Sequence, residues 1–301
     1  MRVLVFGSIN VDTTLIVDKI PQIGETVLAN NLLNDFGGKG SNQAVSIARL
    51  GHPVSFLGAV GDDANGKASI EKLVKEGVDT KFIRVFPGAH TGIAMINVDH
   101  VGNNNIVVYS GANYELSSQF FDEYCSILKN FDMCVLQQEI PIEVLNYVIK
   151  YSIENGIKLV INPAPYNSDM FMESYKGVDY LIPNEFELAS MVGGSVDENM
   201  FEKYAKQLVN AGVKNVIVTL GDKGSLWVDK NHSQYFEAVK VNAVDTTAAG
   251  DSFIGGFVVG LTRNYSIEKS IAFATKVASL TVQNRGAQDS LPYKVDIDWE
   301  E

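Results

Sequence analysis

The chain has 301 residues, 46% of them hydrophobic, and 24 Lys and Arg against 36 Asp and Glu leave a formal net charge of -12. Such a chain builds one large domain or two modest ones, and its negative charge repels phosphate backbones and anionic lipid, disfavouring a nucleic-acid or membrane partner. Cys125, Cys134 and four scattered His supply neither a disulfide framework, nor a zinc site, nor a Ser-His-Asp triad.

In chain order, RVLVFG is an apolar run that reads as a buried strand, with no signal-peptide core before it. No apolar stretch reaches the length of a membrane span, so a cytoplasmic protein is expected. GSINVD, residues 7 to 12, follows the C-terminal end of that strand, where open α/β sheets bind ligands. Asn10 and Asp12 there offer an amide and a carboxylate suited to sugar hydroxyls, or serve as ordinary turn residues. In the next stretch Thr13, Leu15 and Val17 alternate with Thr14, Ile16 and Asp18, a pattern of extra β-strands over about 11–36.

DFGGKGSNQA, residues 35 to 44, is a Gly-rich turn carrying Gly38 and Lys39 into a helix, SNQAVSIARLG, with Gly51 at its C-terminal end. It lacks P-loop spacing, and FGSIN lacks the dinucleotide fingerprint, so a dinucleotide oxidoreductase is disfavoured. PVSFLGAV reads as a strand, and TGIAMINVD with NNIVVYS, within about 91–110, as a hairpin. The two β insertions could form one lid or extend the main sheet.

DMCVLQ, KLVIN, YLIPN and NVIVTLG are further buried strands, and PIEVLNYVIKYSIENG is an amphipathic helix between Pro141 and Gly156. Glu139 ends one strand and Asn184 with Glu187 follows another; each could bind a ligand or cap the next helix. Last comes VDTTAAGD, residues 244 to 251, before the helical pattern SFIGGFVVGLTR. Asp251 falls in the first turn, where backbone N–H groups and the helix dipole favour an anion. Ala248, Ala249 and Gly250 are barer than capping requires and suit a phosphate cradle, beside which a carboxylate can take a proton from an attacking hydroxyl. The alternation as a whole predicts a mostly parallel sheet with helices on both faces, in a single domain over 1–301.

GSINVD, FGGKGSNQA, LQQE, NPAP, PNEFE, TLGDKG, VDTTAAGD and NRGAQDSLP occur in this order across the chain, which thereby resembles the ribokinase (PfkB) family of sugar and nucleoside kinases. The resemblance implies a ribokinase-like three-layer α/β/α sandwich with a mostly parallel central sheet and a small β-sheet lid, and transfer of the ATP γ-phosphoryl group to the 5-hydroxyl of ribose. It implies Asp251 as general base, with an anion hole at Ala248, Ala249 and Gly250. Asn10, Asp12, Gly38, Lys39, Asn42 and Glu139 match sugar-binding positions. Asn184 and Glu187 match an N-x-x-E element placing Mg2+ and phosphates, and Thr219, Gly221, Lys223 and Gly224 match the nucleotide loop.

By the same resemblance Asp245, Thr247, Thr281, Asn284, Gly286 and Ser290 match a monovalent-cation site, normally holding K+, and the lid would join two chains in a homodimer. Two positions depart from the pattern: Thr275 stands where some members have His or Asn near adenine, and Asp289 where Pro is frequent. A 2-deoxyribokinase or another sugar or nucleoside kinase remains an alternative. From a different class, so does a sugar or nucleotide sensor that retains the fold without catalysis.

Overall fold

The runs Val3–Phe6 and Met133–Leu136 are apolar at every position. In the computed structural model, described for residues 1–299, β1 (Val3–Phe6) is buried throughout. A run without polar alternation suits a strand covered on both faces. The chain then leaves the main sheet for β2 (Asn10–Val17) and β3 (Ala29–Gly37), and returns through α1 (Lys39–Arg49), β4 (Val54–Gly61), α2 (Ala64–Lys75) and β5 (Asp79–Phe86). A second excursion makes β6 (Gly92–Val98) and β7 (Asn104–Tyr109). Next come α3 (Phe121–Leu128), β8 (Met133–Leu136), α4 (Ile142–Glu154), β9 (Lys158–Ile161), β10 (Tyr180–Leu181), α5 (Glu185–Met191) and α6 (Phe201–Asn210). The C-terminal third holds β11 (Asn215–Thr219), β12 (Ser225–Asp229), β13 (Ser233–Phe236), α7 (Ala249–Thr262) and α8 (Ile267–Thr281).

Nine strands form the main sheet in the order β13-β12-β11-β10-β9-β8-β1-β4-β5, parallel except for the antiparallel pairs β11–β12 and β12–β13. Successive residues of each strand feed opposite layers. Leu4, Phe6, Leu136 and Leu159 pack with α3, α4, α5 and α6, while Val3, Val5, Val135 and Val160 pack with α1, α7 and α8. This is the three-layer α/β/α architecture. Among the described residues no helix is long and apolar enough to cross a membrane.

Strands β5, β12 and β13 escape the reading of apolar runs. β5 and β13 carry half-buried and exposed residues, and β12 is a short run directly behind the turn at Gly224. The helix read from Ser41 begins at Lys39, because Gly38, at φ 88, turns the chain into it.

A second sheet, ordered β3-β2-β6-β7, lies outside the first. β2 runs antiparallel to β3 and parallel to β6, so the two excursions form a single sheet. At its base Asn10 stands opposite both Gly37 and Gly92. A Cβ at Gly92 would lie 2.1 Å from Asn10 Oδ1, so only glycine lets the strands close beside that amide. The register puts Leu15, Leu32, Met95 and Val107 on one face and Asp12, Leu33, Ile96 and Ile106 on the other.

Candidate active site

The site is built around the start of α7. Its first residue follows Ala248, which holds the left-handed conformation (φ 58, ψ 8) at a cost on the order of 1 kcal/mol for a residue with a Cβ. No side chain caps this helix, which leaves first-turn N–H groups for an anion. Ala249 is the exception, because its N–H donates to Thr246 O at 3.2 Å. A Cβ placed on Gly250 would meet no protein atom within 4 Å, so this turn borders open space. That space is a cleft of about 200 Å³, lined by Lys39, Asn184, Glu187, Thr219, Ala248, Ala249, Gly250 and Asp251 among others.

Asp251 is buried, and both its oxygens accept hydrogen bonds from neutral amides: Asn42 Nδ2 at 3.0 Å from Oδ2 and Gln43 Nε2 at 3.0 Å from Oδ1. Burial pushes its carboxyl above the usual range, while Lys39, then Gln43 and Asn42, pull in the opposite direction. For the Lys39 ammonium, burial alone would favour loss of the proton. Asp251, Glu139, Glu187 and Asp12 outweigh it and hold the group above its ordinary value. A carboxylate inclined to take a proton thus stands beside a cation that stays charged.

Residues on the other side of Asp251 come from the ends of β1 and β8 and the base of the outer sheet. Glu139 Oε2 accepts from Ser8 Oγ and, at 2.9 Å, from Lys39 N, so Glu139 pins the turn into α1 and does not cap the helix at Pro141. Gly38 has no room for a Cβ, which would lie 2.8 Å from Asn10 N. Asn113 Oδ1 accepts from Ile9 N at 3.0 Å, which orients its amide so that Nδ2 donates to Asn10 Oδ1 at 2.9 Å. Asn10 is left with its amide nitrogen as a free donor. The Asp12 carboxyl is pushed up to about 7, by burial first and then by Asp35, Glu139 and Asp251.

Asn184 and Glu187 do form a capping box on α5, Asn184 Oδ1 accepting from Glu187 N and Glu187 Oε2 from Asn184 N. They also line the cleft, so one pair serves both local structure and the site. The other nucleotide-loop candidates are not all gathered there. Gly221 and Lys223 line a neighbouring cleft of about 550 Å³ with Glu185, Asp197 and Glu198, and Lys223 is ion-paired with Glu198. Gly224 sits in the turn into β12, and Thr275 on α8 donates its hydroxyl to Ile271 O at 2.9 Å.

Asp245 binds two of the proposed cation residues directly, Thr247 and Gly286. Its Oδ1 accepts from Thr247 N and Oγ1, its Oδ2 from Gly286 N at 3.0 Å, and its own N donates to Val282 O, one residue past Thr281. Asn284 Nδ2 and Ser290 Oγ donate to Leu280 O and Ala287 O. Among the described residues no group of three or more His, Cys, Asp or Glu gathers as a metal site. A cation here would rest on Asp245 and backbone carbonyls; a Mg2+ would rest on ATP phosphates, water and Glu187, a donor set that suits a hard ion reluctant to dehydrate.

Sequence reasoning missed Gln43, Asn113, Asn162 and Gln137, whose buried amides orient the groups named above. Gln43, Gln137 and Asn162 lie inside FGGKGSNQA, LQQE and NPAP, and a polar residue on the apolar side of a helix is the available signal for Gln43.

A model of the pfkB family of carbohydrate kinases matches residues 1–294. A ribokinase of Staphylococcus aureus (strain COL) is 37% identical over 294 residues, covering 97% of this chain and 96% of the relative. A deoxyribokinase of Salmonella typhi is 35% identical over 293 residues, covering 97% and 96%. The structure of an Arabidopsis thaliana ribokinase complexed with ribose and ATP superposes with a TM-score of 0.89 at 32% identity, covering 98% of this chain and 96% of that one.

Proposed function

The chain belongs to the pfkB family of carbohydrate kinases, an ATP-using sugar phosphotransferase, and on that premise we propose that it phosphorylates D-ribose at the 5-hydroxyl to give D-ribose 5-phosphate. The observation that carries this reading is the position of Asp251. It accepts from Asn42, stands beside Lys39 and acts on Asp12 on one side, and follows directly on the uncapped turn at Ala248, Ala249 and Gly250. Asp251 accepts the proton of the attacking hydroxyl, and the turn's free amides receive charge developing on the transferred group. Asn10 as donor and Asp12 as acceptor suit two neighbouring hydroxyls.

ATP lies along Asn184, Glu187, Thr219, Gly221, Lys223 and Gly224, with Thr275 towards the base. Mg2+ bound with the nucleotide would be held near Glu187 and Asn184 and would neutralise phosphate charge. A monovalent cation, K+, would be held at Asp245, Thr247, Thr281, Asn284, Gly286 and Ser290 and would supply fixed positive charge near the turn. The outer sheet acts as the lid that excludes water as the sugar binds. Its exposed apolar side chains support a homodimer formed through the lid, and the protein works in the cytoplasm.

A second reading, 2-deoxyribose as substrate, is favoured by the 35% identity to the Salmonella typhi deoxyribokinase. A coupled assay across ribose, 2-deoxyribose, fructose and adenosine, each with and without K+, separates these. Ribose should give the highest kcat/KM; a clear preference for another acceptor removes the ribose assignment.

A further inference from the structure

We propose that Gln43 is a positioning residue for Asp251: an amide strut, pinned at its carbonyl by Gln137, that fixes the carboxylate plane and holds it ready to accept a proton. The inference rests on the reading of Asp251 as the base.

Gln43 and Gln137 are fully buried and Asn162 nearly so. Three elements close on the Gln43 amide. Its Nε2 donates to Asp251 Oδ1 at 3.0 Å and to Asn162 Oδ1 at 3.4 Å, and its Oε1 accepts from Gln137 Nε2 at 2.6 Å. Asn162 is oriented in turn by donation from its Nδ2 to Ile182 O at 3.0 Å. The orientation is forced, because turning the Gln43 amide over would set its oxygen against a carboxylate and against the Asn162 carbonyl. A terminal carboxylate otherwise rotates broadly. Held at each oxygen by a different residue, Asp251 cannot do so without breaking a buried hydrogen bond.

The two amides do not have equal duties. Asn42 belongs to the proposed sugar site, and its Oδ1 is buried without a protein partner, as an acceptor awaiting a hydroxyl would be. All three of Gln43's hydrogen bonds go to protein, so its sole task is the carboxylate. The charged groups coupled to Asp251 are Lys39 from α1, Asp12 from β2 and Glu187 from α5, and Glu139 after β8 acts in turn on Lys39 and Asp12. Against three carboxylates and one ammonium, neutral donors add preference for the ionised form without adding a charge that would compete for phosphate.

The test is Gln43→Met, close in size and without hydrogen-bonding groups, assayed with sugar and MgATP over a pH series. The expected result is a kcat lower by on the order of tenfold to a hundredfold with the sugar KM little changed. The acidic limb of kcat should also move to higher pH, since losing a donor to the ionised form raises the pKa of the base. Gln137→Met, which frees the strut, should move the limb the same way by less, and the double variant should cost no more than Gln43→Met alone. If Gln43→Met does not fold, the limb of Gln137→Met decides, and an unmoved limb overturns the proposal. A parallel loss in kcat and KM with an unmoved limb, or wild-type behaviour while Asp251→Asn is inactive, overturns it while leaving the base assignment standing. Wild-type turnover in Asp251→Asn overturns both.

Discussion

Asn113 Nδ2 lies 2.9 Å from Asn10 Oδ1, and the same Asn113 amide is locked by both the N–H and the C=O of Ile9. In the proposed sugar site, Asn113 therefore decides which end of the Asn10 amide faces the substrate. Asn113→Leu removes the lock and leaves the Asn10 amide free to turn over. The sugar KM should rise roughly tenfold, the loss of about one well-placed hydrogen bond, with kcat changed less. Discrimination between ribose and 2-deoxyribose should narrow, and parallel kcat/KM measurements on the two sugars check it.

Asp12, pushed up to about 7, gives a pH dependence of its own. In the proposed site sugar hydroxyls would donate to the ionised carboxylate, so binding should be favoured above that pKa and weakened as pH falls through it. kcat/KM for the sugar, which reports the free enzyme, should therefore decline below about pH 7. In Asp12→Asn this limb should vanish from kcat/KM while the acidic limb of kcat stays in place.

Away from the site, Arg49 on α1 and Glu76 after α2 form a buried ion pair at 2.8 Å, and Arg49 Nη1 also donates to Gln288 O and Leu291 O. Hydrogen bonding from Arg49 holds Glu76 down at about 2. Its pKa is depressed on folding, so its contribution is present above the ordinary Glu value and lost as pH falls toward about 2. Glu76→Gln would leave Arg49 buried without its partner. It should cost about 3 kcal/mol at pH 7, and less than half of that at pH 3, by denaturant unfolding.

On the outer sheet Leu32, Met95 and Val107 share a face and are 54%, 42% and 68% exposed. Apolar side chains so placed call for cover, and a second lid is the proposed one. Leu32→Lys with Val107→Lys should shift the protein from dimer to monomer in sedimentation or light scattering; an unchanged mass removes that face as the interface.

The main sheet was legible because its strands are apolar on both sides and separated by helices of clear period, as in RVLVFG and SNQAVSIARLG. β13 was not: its burial is low, and its pairing with β12 depends on a turn that no periodicity marks. The same division runs through the site. Asn10, Asp12, Lys39, Asn42, Glu139 and Asp251 stand in motifs at strand ends and helix starts, where glycines and carboxylates attract notice. Gln43, inside a helix, acquires its role only from Asp251, 208 residues away. A polar residue on the apolar side of a helix marks Gln43 as unusual, but nothing near it in sequence fixes which way its amide points.

The central claim is that Asp251 takes the proton of a sugar hydroxyl during transfer from ATP. The most direct measurement is ATP consumption with D-ribose by the wild-type chain and by Asp251→Asn, with folding of the variant checked by circular dichroism. Wild type should turn over ribose, and the variant should lose roughly a hundred- to ten-thousand-fold in kcat with sugar binding retained. A folded Asp251→Asn that turns over ribose at the wild-type rate would contradict the account.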